Sequence, residues 1–238
     1  MPIPANPAAA ARRMLLMPGA APALPVPVSA MAHLAAPEGL ALVTAYGEYA
    51  RRTRTAPETL YRSALPDGFT VTGRADGAVL ILYNERMPAT RQRFTLAHEI
   101  GHLACRHTSH GARQEDDANR FAAHLLMPDA LIRLIRDQNV PVTEAVLMRC
   151  FGVSRAAAAR KLLYMQNAGF MEADPTDPWL CLRFRDALHK RLPRLLAGYT
   201  AAEADKDIFG SAEDKAAFAQ LEARYLGGVY FDKRGQVW

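Results

Sequence analysis

The sequence of 238 residues lacks any apolar run long enough to cross a membrane as a helix, although half of its residues are apolar. It also contains little cysteine. Cys105, Cys150 and Cys181 are odd in number and show no paired spacing, as expected for a reducing compartment such as the cytoplasm. We find no internal repeat and no glycine-rich loop of the phosphate-binding kind, which argues against repeat architectures and nucleotide-binding folds.

The excess of charge is modest. Lysine and arginine number 29 against 24 aspartate and glutamate, which gives a net charge of +5. This is a small charge for a nucleic-acid-binding protein, although the isoelectric point near 9.3 keeps that class open. A chain of this length can bury one good core, with a small appendage at most.

The first thirty residues are rich in alanine and proline, a composition that we do not expect to build a core. Arg12 and Arg13 precede a short apolar run and so imitate an export signal faintly, but several prolines interrupt that run. We therefore predict a disordered leader over residues 1–36, with Met31 as an alternative start of the protein.

Four of the seven histidines fall within residues 95–110, which read TLAHEIGHLACRHTSH. His98 and His102 are four residues apart, with Glu99 after the first, in the HExxH pattern. On a helix, residues i and i+4 lie on the same face, so both imidazoles can reach one zinc ion. Glu99 is turned about 100° away and can stand beside a bound water. The pattern predicts two zinc ligands and a general base.

The surrounding residues favour a helix. We expect Thr95 to cap it. Gly101 would weaken a helix by about 1 kcal/mol, so its presence suggests close approach of another backbone or of the substrate. We interpret His107 and His110 as solvated loop histidines rather than ligands. Cys105 is expected to be a small buried residue.

A catalytic zinc site needs a third protein ligand. Residues 113–128, RQEDDANRFAAHLLMP, predict a second helix that ends near its proline and carries three adjacent acids. Asp116 precedes Arg120 by four residues and is typical of a surface ion pair, whereas Asp117 is ambiguous. Glu115 shares its face with small residues that would let this helix approach the HExxH helix. Glu115 is therefore the best third ligand.

Two segments, RFTLAHEIGHL and EDDANRFAAHLLMP, resemble the ImmA/IrrE-type zinc metallopeptidases of bacteria and mobile elements. That family's pattern is a HExxH helix followed by E-x-x-A-N-x-F-A-x-x-L-L-M-P, and the resemblance covers about Gly68 to Gly169. It implies one zinc ion on His98, His102 and Glu115. It also implies Glu99 as the base, a zincin-like fold, and a helix-turn-helix repressor as substrate, whose cleavage switches on the genes that it controls.

Upstream of these motifs, residues 38–53 predict an amphipathic helix. Two strands follow, GFTVTG (68–73) and AVLILYN (78–84), joined by a turn through residues 74–77. In zincins, a strand placed like the second one forms the sheet edge beside the metal, where an extended peptide could pair with it. An ordinary core strand is the compatible alternative.

Residues 141–169 have the outline of a helix-turn-helix, with Ser154 capping the second helix. A DNA-reading role would use Arg155, Arg160 and Lys161, but the four alanines among them offer few contacts to bases. We expect helical support for the peptidase core and no direct DNA binding. Further along, amphipathic helices are predicted within 179–199 and 211–226, and a closing hairpin is predicted after them.

The predicted protein is therefore α+β. Residues 37–129 form a zincin-like metallopeptidase core, consisting of a small sheet and the HExxH helix. Residues 130–173 form a helical, helix-turn-helix-like region, and residues 174–238 form a mostly helical extension of unknown role.

The favoured function is a cytoplasmic zinc endopeptidase that cleaves a helix-turn-helix repressor and has no membrane partner. One alternative is a DNA-binding regulator with a structural or vestigial metal site, and another is an antitoxin-like or immunity scaffold that binds its partner without cutting it. Glu99 argues against a structural site, because a closed site needs no base. Tyr83 and His124 stay open as oxyanion-stabilising candidates.

Overall fold

The computed structural model describes residues 6–36, 40–62, 67–73, 78–109, 111–168 and 174–192. Within them the chain is mixed α+β, with one three-stranded sheet and mostly helices. Several sequence-based predictions lie outside the described residues: the turn at 74–77, His110, the helix over 211–226 and the hairpin after it.

The sheet consists of β1 (Ala41–Ala45), β2 (Gly68–Thr72) and β3 (Val79–Tyr83), in the order β1–β3–β2. β3 pairs parallel with β1 and antiparallel with β2. The two predicted strands are confirmed, but the placement of β3 at the sheet edge is wrong. Its continuous apolar run is explained by its central position, since Val79, Ile81 and Leu82 are buried.

The helix predicted over residues 38–53 is wrong for residues 41–45, which form β1. Only α3 (Tyr46–Thr53) is helical, and the short α4 (Pro57–Tyr61) follows it. The apolar pattern of this segment matched a helical period, yet Val43 and Thr44 are β-branched and fit a pleated sheet. The pairing with β3 decides the outcome, and β3 lies too far along the chain for local periodicity to show it.

The HExxH segment lies on α5 (Ala89–Ala104), and the second motif lies on α6 (Ala112–Leu126). Both helices were predicted. The expected cap at Thr95 is wrong, because α5 begins six residues earlier, after Pro88, and Thr95 is buried within the helix. The first turns of α5 are polar, so the apolar periodicity did not reveal them.

The predicted disorder of the leader is wrong for residues 6–36. A helix, α1 (Pro7–Leu16), begins with proline at its first position, and the Asn6 side chain accepts a hydrogen bond from the Ala8 backbone N–H. Leu15 is fully buried, and α1 packs against α5. Small alanines suit close helix packing, but composition could not show that a partner helix exists.

Two short elements complete this part of the chain. A 3₁₀ helix (Val28–Met31) leads into α2 (Ala32–Ala35), and both pack against α5. The HExxH helix is therefore contacted by the segment that was expected to be a free leader, as well as by β2 and β3.

The described chain forms two compact units, and the boundary between them falls between Leu125 and Leu126. The first unit holds the sheet, the N-terminal helices, α5 and nearly all of α6. The second unit also takes in the segment Pro22–Val26. The leader predicted over 1–36 is thus divided between the units.

The second unit is helical and contains α7 (Asp129–Asp137), α8 (Glu144–Phe151), α9 (Arg155–Ala168) and α10 (Asp177–His189). A short turn joins α8 to α9. The Ser154 hydroxyl accepts a hydrogen bond from the Ala157 backbone N–H at 3.1 Å, which confirms the predicted cap.

Lys161, one of the basic residues considered for DNA contact, is buried inside the second unit. Its Nζ lies 2.5 Å from Asp129 Oδ1, and both side chains are nearly inaccessible. Burial lowers the pKa of Lys161, and the carboxylate of Asp129 opposes that shift. A lysine enclosed in this way cannot reach DNA from α9. Of the three basic residues considered for DNA contact, only Arg155 and Arg160 therefore remain as candidates.

Candidate metal centre

The ring nitrogens of His98 and His102 converge on one carboxylate. The two Nε2 atoms lie 3.0 Å apart. Glu115 Oε2 is 3.2 Å from His98 Nε2, and Glu115 Oε1 is 3.5 Å from His102 Nε2. Among the described residues, these three form the group of histidine, cysteine and acidic side chains able to hold a metal ion, with ligand atoms all within 4.8 Å of one another. Neither Asp116 nor Asp117 belongs to it.

This donor set fits a zinc ion. Two imidazole nitrogens and one carboxylate are ligands that catalytic zinc accepts, and three protein ligands leave a position open. The histidine side chains are mostly enclosed, with 16% of His98 and 13% of His102 exposed, whereas 47% of Glu115 is exposed. The group is therefore enclosed by protein on the histidine side and open to solvent on the glutamate side.

Small residues bring α5 and α6 together. A Cβ added to Gly101 would lie 3.1 Å from the Ala118 carbonyl oxygen and 3.0 Å from Phe121 Cδ1. Ala118 is fully buried. This confirms the close backbone approach predicted for Gly101. Because Glu115 lies about one helical turn before Ala118, the approach carries its carboxylate to the two histidines.

Glu99 directly follows His98 on α5 and does not belong to the metal-ligand group. Its Oε2 accepts a hydrogen bond of 2.7 Å from the hydroxyl of Thr70, which lies on β2. An outer strand of the sheet therefore orients the carboxylate that the HExxH pattern assigns as base. The sequence alone did not single out Thr70, because strand alternation shows only which face a residue occupies.

A buried asparagine orients His98. Asn119 Oδ1 lies 2.9 Å from His98 Nδ1, and only 7% of Asn119 is exposed. An amide oxygen can only accept, so His98 Nδ1 carries the proton and Nε2 keeps its lone pair. Asn119 was not singled out by the sequence analysis. Its place in the E-x-x-A-N motif was the available signal.

His107 contacts the other histidine. It lies in the loop after α5 and outside the metal-ligand group, as predicted, but its interpretation as a solvated residue is wrong. His107 is half-buried, and its Nδ1 lies 2.9 Å from His102 Nδ1. The polar residues around it predicted a loop, and a loop does follow α5. The turn at the end of that helix nevertheless folds the chain back over His102, which composition does not reveal.

Cys105 is half-buried and stands apart from the metal-ligand group. Burial raises the pKa of its thiol to about 11, with a smaller contribution from Asp117. Cys105 was predicted to be a small buried residue, and the structure encloses it only in part.

Comparison with known proteins places these motifs in a family. Residues 48–163 match the model of the IrrE N-terminal-like domain, peptidase M78, a segment that begins before the predicted Gly68 and contains both α5 and α6. None of the curated proteins compared matches the chain. This match over residues 48–163 confirms, for that part of the chain, the family that its two motifs had predicted.

Proposed function

We propose that this protein is a zinc-dependent endopeptidase that cleaves a helix-turn-helix transcriptional repressor in the cytoplasm. The observation that carries the enzymatic part is the convergence of His98, His102 and Glu115, with Glu99 beside them but outside the group. Membership of a peptidase family supports it. A purely structural metal site would be closed by protein ligands and would have no use for an adjacent base.

The chain's own residues divide the chemistry among them. His98, His102 and Glu115 would hold the metal, and a bound zinc ion supplies Lewis-acid chemistry, which acidifies water to a pKa of about 7 and polarises a carbonyl. Glu99 accepts a proton from the attacking water and passes it to the leaving amine nitrogen. Thr70 holds the Glu99 carboxylate in place through its 2.7 Å hydrogen bond.

The sheet suggests where a peptide would lie. β3 is paired on both sides, so a substrate peptide cannot pair with it. β2 has no partner on its far side among the described strands and could accept an extended peptide there. β2 also carries Thr70, whose hydroxyl bonds Glu99. An extended peptide added to β2 would therefore run beside the proposed base, with backbone hydrogen bonds supplying sequence-independent affinity.

The repressor as substrate rests on the family resemblance, and two alternatives compete with it. A DNA-binding regulator is disfavoured by α9, where Lys161 is buried and Arg155 lies 3.5 Å from the Glu144 carboxylate. An antitoxin-like scaffold would bind its partner without cutting it, and the position of Glu99 gives such a scaffold no advantage.

One experiment separates these functions. The purified chain is analysed for metal and incubated with the repressor encoded by a neighbouring gene, beside Glu99→Gln as matched control. The proposal expects zinc in both proteins and cleavage by the unaltered chain alone. Stable binding without cleavage by the zinc-loaded protein would favour the scaffold, and failure to bind zinc would overturn the metallopeptidase.

A further inference from the structure

The end of α5 adopts a specific hydrogen-bonded turn. The Arg106 backbone N–H donates to the Leu103 carbonyl at 3.0 Å, and the His107 N–H donates to the His102 carbonyl at 3.0 Å. Arg106 has a φ of 54°, in the left-handed region. This pattern of two nested bonds around a left-handed residue is the Schellman motif. It brings the second residue after the C-cap Cys105, which is His107, back over the third residue from the helix end, which is His102.

In this protein those two residues are both histidines. A Schellman motif is commonly accompanied by an apolar contact at this position. Here the imidazoles of His102 and His107 are 5.0 Å apart between ring centroids and inclined at 74°, with their Nδ1 atoms 2.9 Å apart. At that distance one Nδ1 carries a proton and the other accepts it.

The direction of that hydrogen bond follows from the other nitrogen of His102. Its Nε2 lies 3.0 Å from His98 Nε2 and 3.5 Å from Glu115 Oε1, so it faces the metal-ligand group. A ring nitrogen that binds metal must offer a lone pair, which leaves the proton on Nδ1. His102 is then the donor, and His107 accepts through Nδ1 and carries its own proton on Nε2.

We propose that His107 is a positioning residue for the metal centre, because it fixes the tautomer and ring orientation of His102. The inference rests on the proposed zinc site. Asn119 plays the matching part for His98 from α6. His107 differs in that its position depends on the turn that ends α5. The left-handed backbone conformation of Arg106 therefore affects the orientation of the His102 ring.

The first test measures zinc affinity by chelator competition in the full-length protein. His107→Leu removes the acceptor while retaining bulk, and we expect zinc affinity to fall about 10–100-fold. His107→Asn should recover most of that loss, because its amide oxygen can accept near the position of Nδ1. His33→Leu, which alters an exposed histidine, should leave the affinity unchanged.

A second readout uses cobalt(II) in place of zinc. A ligand ring that has lost its orienting partner should alter the visible absorption of the cobalt protein in His107→Leu, and His107→Asn should restore it. A role of His107 in stability alone would leave the spectrum of the folded protein unchanged. Circular dichroism establishes which variants are folded.

A matched pair at Arg106 tests the turn while keeping His107 itself. Arg106→Gly suits the left-handed conformation and should retain zinc affinity, whereas β-branched Arg106→Val disfavours it and should weaken binding. If His107→Leu fails to fold, the two Arg106 variants still test the positioning role of His107. Equal zinc affinity in Arg106→Gly and Arg106→Val would overturn the inference.

The outcomes separate this inference from the function on which it rests. Absence of zinc binding in the unaltered protein overturns the proposed function and this inference with it. If the unaltered protein binds zinc and cleaves its substrate, while His107→Leu matches it in zinc affinity and cobalt spectrum, only the positioning role of His107 is overturned.

Discussion

The two histidines of the HExxH motif differ in the group that accepts their Nδ1 proton. A buried amide, Asn119, accepts from His98, and the imidazole of His107 is placed to accept from His102. Both arrangements leave Nε2 available at the point that Glu115 also faces. At the scale of single residues, each histidine of the candidate site therefore has its Nδ1 engaged by a neighbouring side chain, which would orient its Nε2 for a metal.

Glu99→Gln tests the proposed base. Glutamine has nearly the same volume and can still accept the Thr70 hydrogen bond, so we expect the fold and the zinc content to be retained. It cannot take up a proton, and cleavage should fall 10²–10⁴-fold, or about 3–5 kcal/mol of barrier. A side-by-side cleavage assay with recorded metal content measures this. Near-normal cleavage by fully zinc-loaded Glu99→Gln would exclude Glu99 as the base.

Glu115→Ala tests the third ligand. The two carboxylate oxygens of Glu115 lie 3.2 and 3.5 Å from the Nε2 atoms of His98 and His102. Asp116 and Asp117 lie outside the group. We expect Glu115→Ala to weaken zinc binding by more than the 10–100-fold typical of an outer partner, and Asp116→Ala and Asp117→Ala to retain the metal. Metal analysis of the three purified proteins checks this. Loss of zinc from Asp117→Ala alone would refute the assignment.

At the scale of elements, the site depends on the contact between α5 and α6 and on the position of β2. Gly101 lets the backbone of α6 approach at Ala118, and that approach delivers Glu115. β2 delivers Thr70 to Glu99. Three separate elements therefore meet at the site, and the spacing between two of them depends on the absence of one side chain.

Substitution of Gly101 should affect metal binding and stability differently. In Gly101→Ala, the added Cβ would crowd Ala118 and Phe121, while helix propensity improves by about 1 kcal/mol, so unfolding free energy should change little. The crowding should still move α6 by a few tenths of an ångström and reduce zinc affinity. Gly101→Val should in addition destabilise the fold by about 1–3 kcal/mol.

Urea unfolding and chelator competition on both Gly101 variants measure these two quantities. Equal zinc affinity in the unaltered protein, Gly101→Ala and Gly101→Val would show that the close approach of the helices does not govern the position of Glu115.

At the scale of the whole molecule, the described chain divides into two units with different content. The first unit contains every residue assigned to the metal centre and its partners. The second unit is helical and buries the ion pair of Lys161 with Asp129, beside a second pair between Arg133 and Asp177. Buried pairs of this kind cost much of their attraction in desolvation, so they point to a specific packing of these helices rather than to a charged surface. None of the helices in the described ranges is long and apolar enough to cross a membrane.

The second unit should therefore bind duplex DNA only weakly and without sequence preference. Lys161 is enclosed, and alanines occupy positions 156–159 of α9, where a recognition helix would present base-contacting side chains. Fluorescence anisotropy with specific and scrambled promoter duplexes, at two salt concentrations, checks this. A sequence-specific nanomolar complex at physiological salt would revive the regulator hypothesis.

The three residues that converge at the candidate metal centre could be predicted from local sequence alone. The spacing of His98 and His102 is a property of one helix, because residues four apart share a face wherever that helix is placed. Glu115 could be chosen over its acidic neighbours for the same reason, since its face carries the small residues that permit helix contact. The motif order, confirmed by the family match, then indicated a peptidase.

The groups that meet across elements could not be predicted from local sequence, because long-range packing brings them together. Thr70, Asn119 and His107 contact Glu99, His98 and His102 through a strand, a second helix and a helix-ending turn, none of which local periodicity can orient. The same reason explains why β1 and α1 were not predicted. β1 exists because β3 pairs with it, and α1 exists as a packed helix because α5 contacts it. Local sequence states which face a residue occupies, whereas packing between distant segments determines what that face meets.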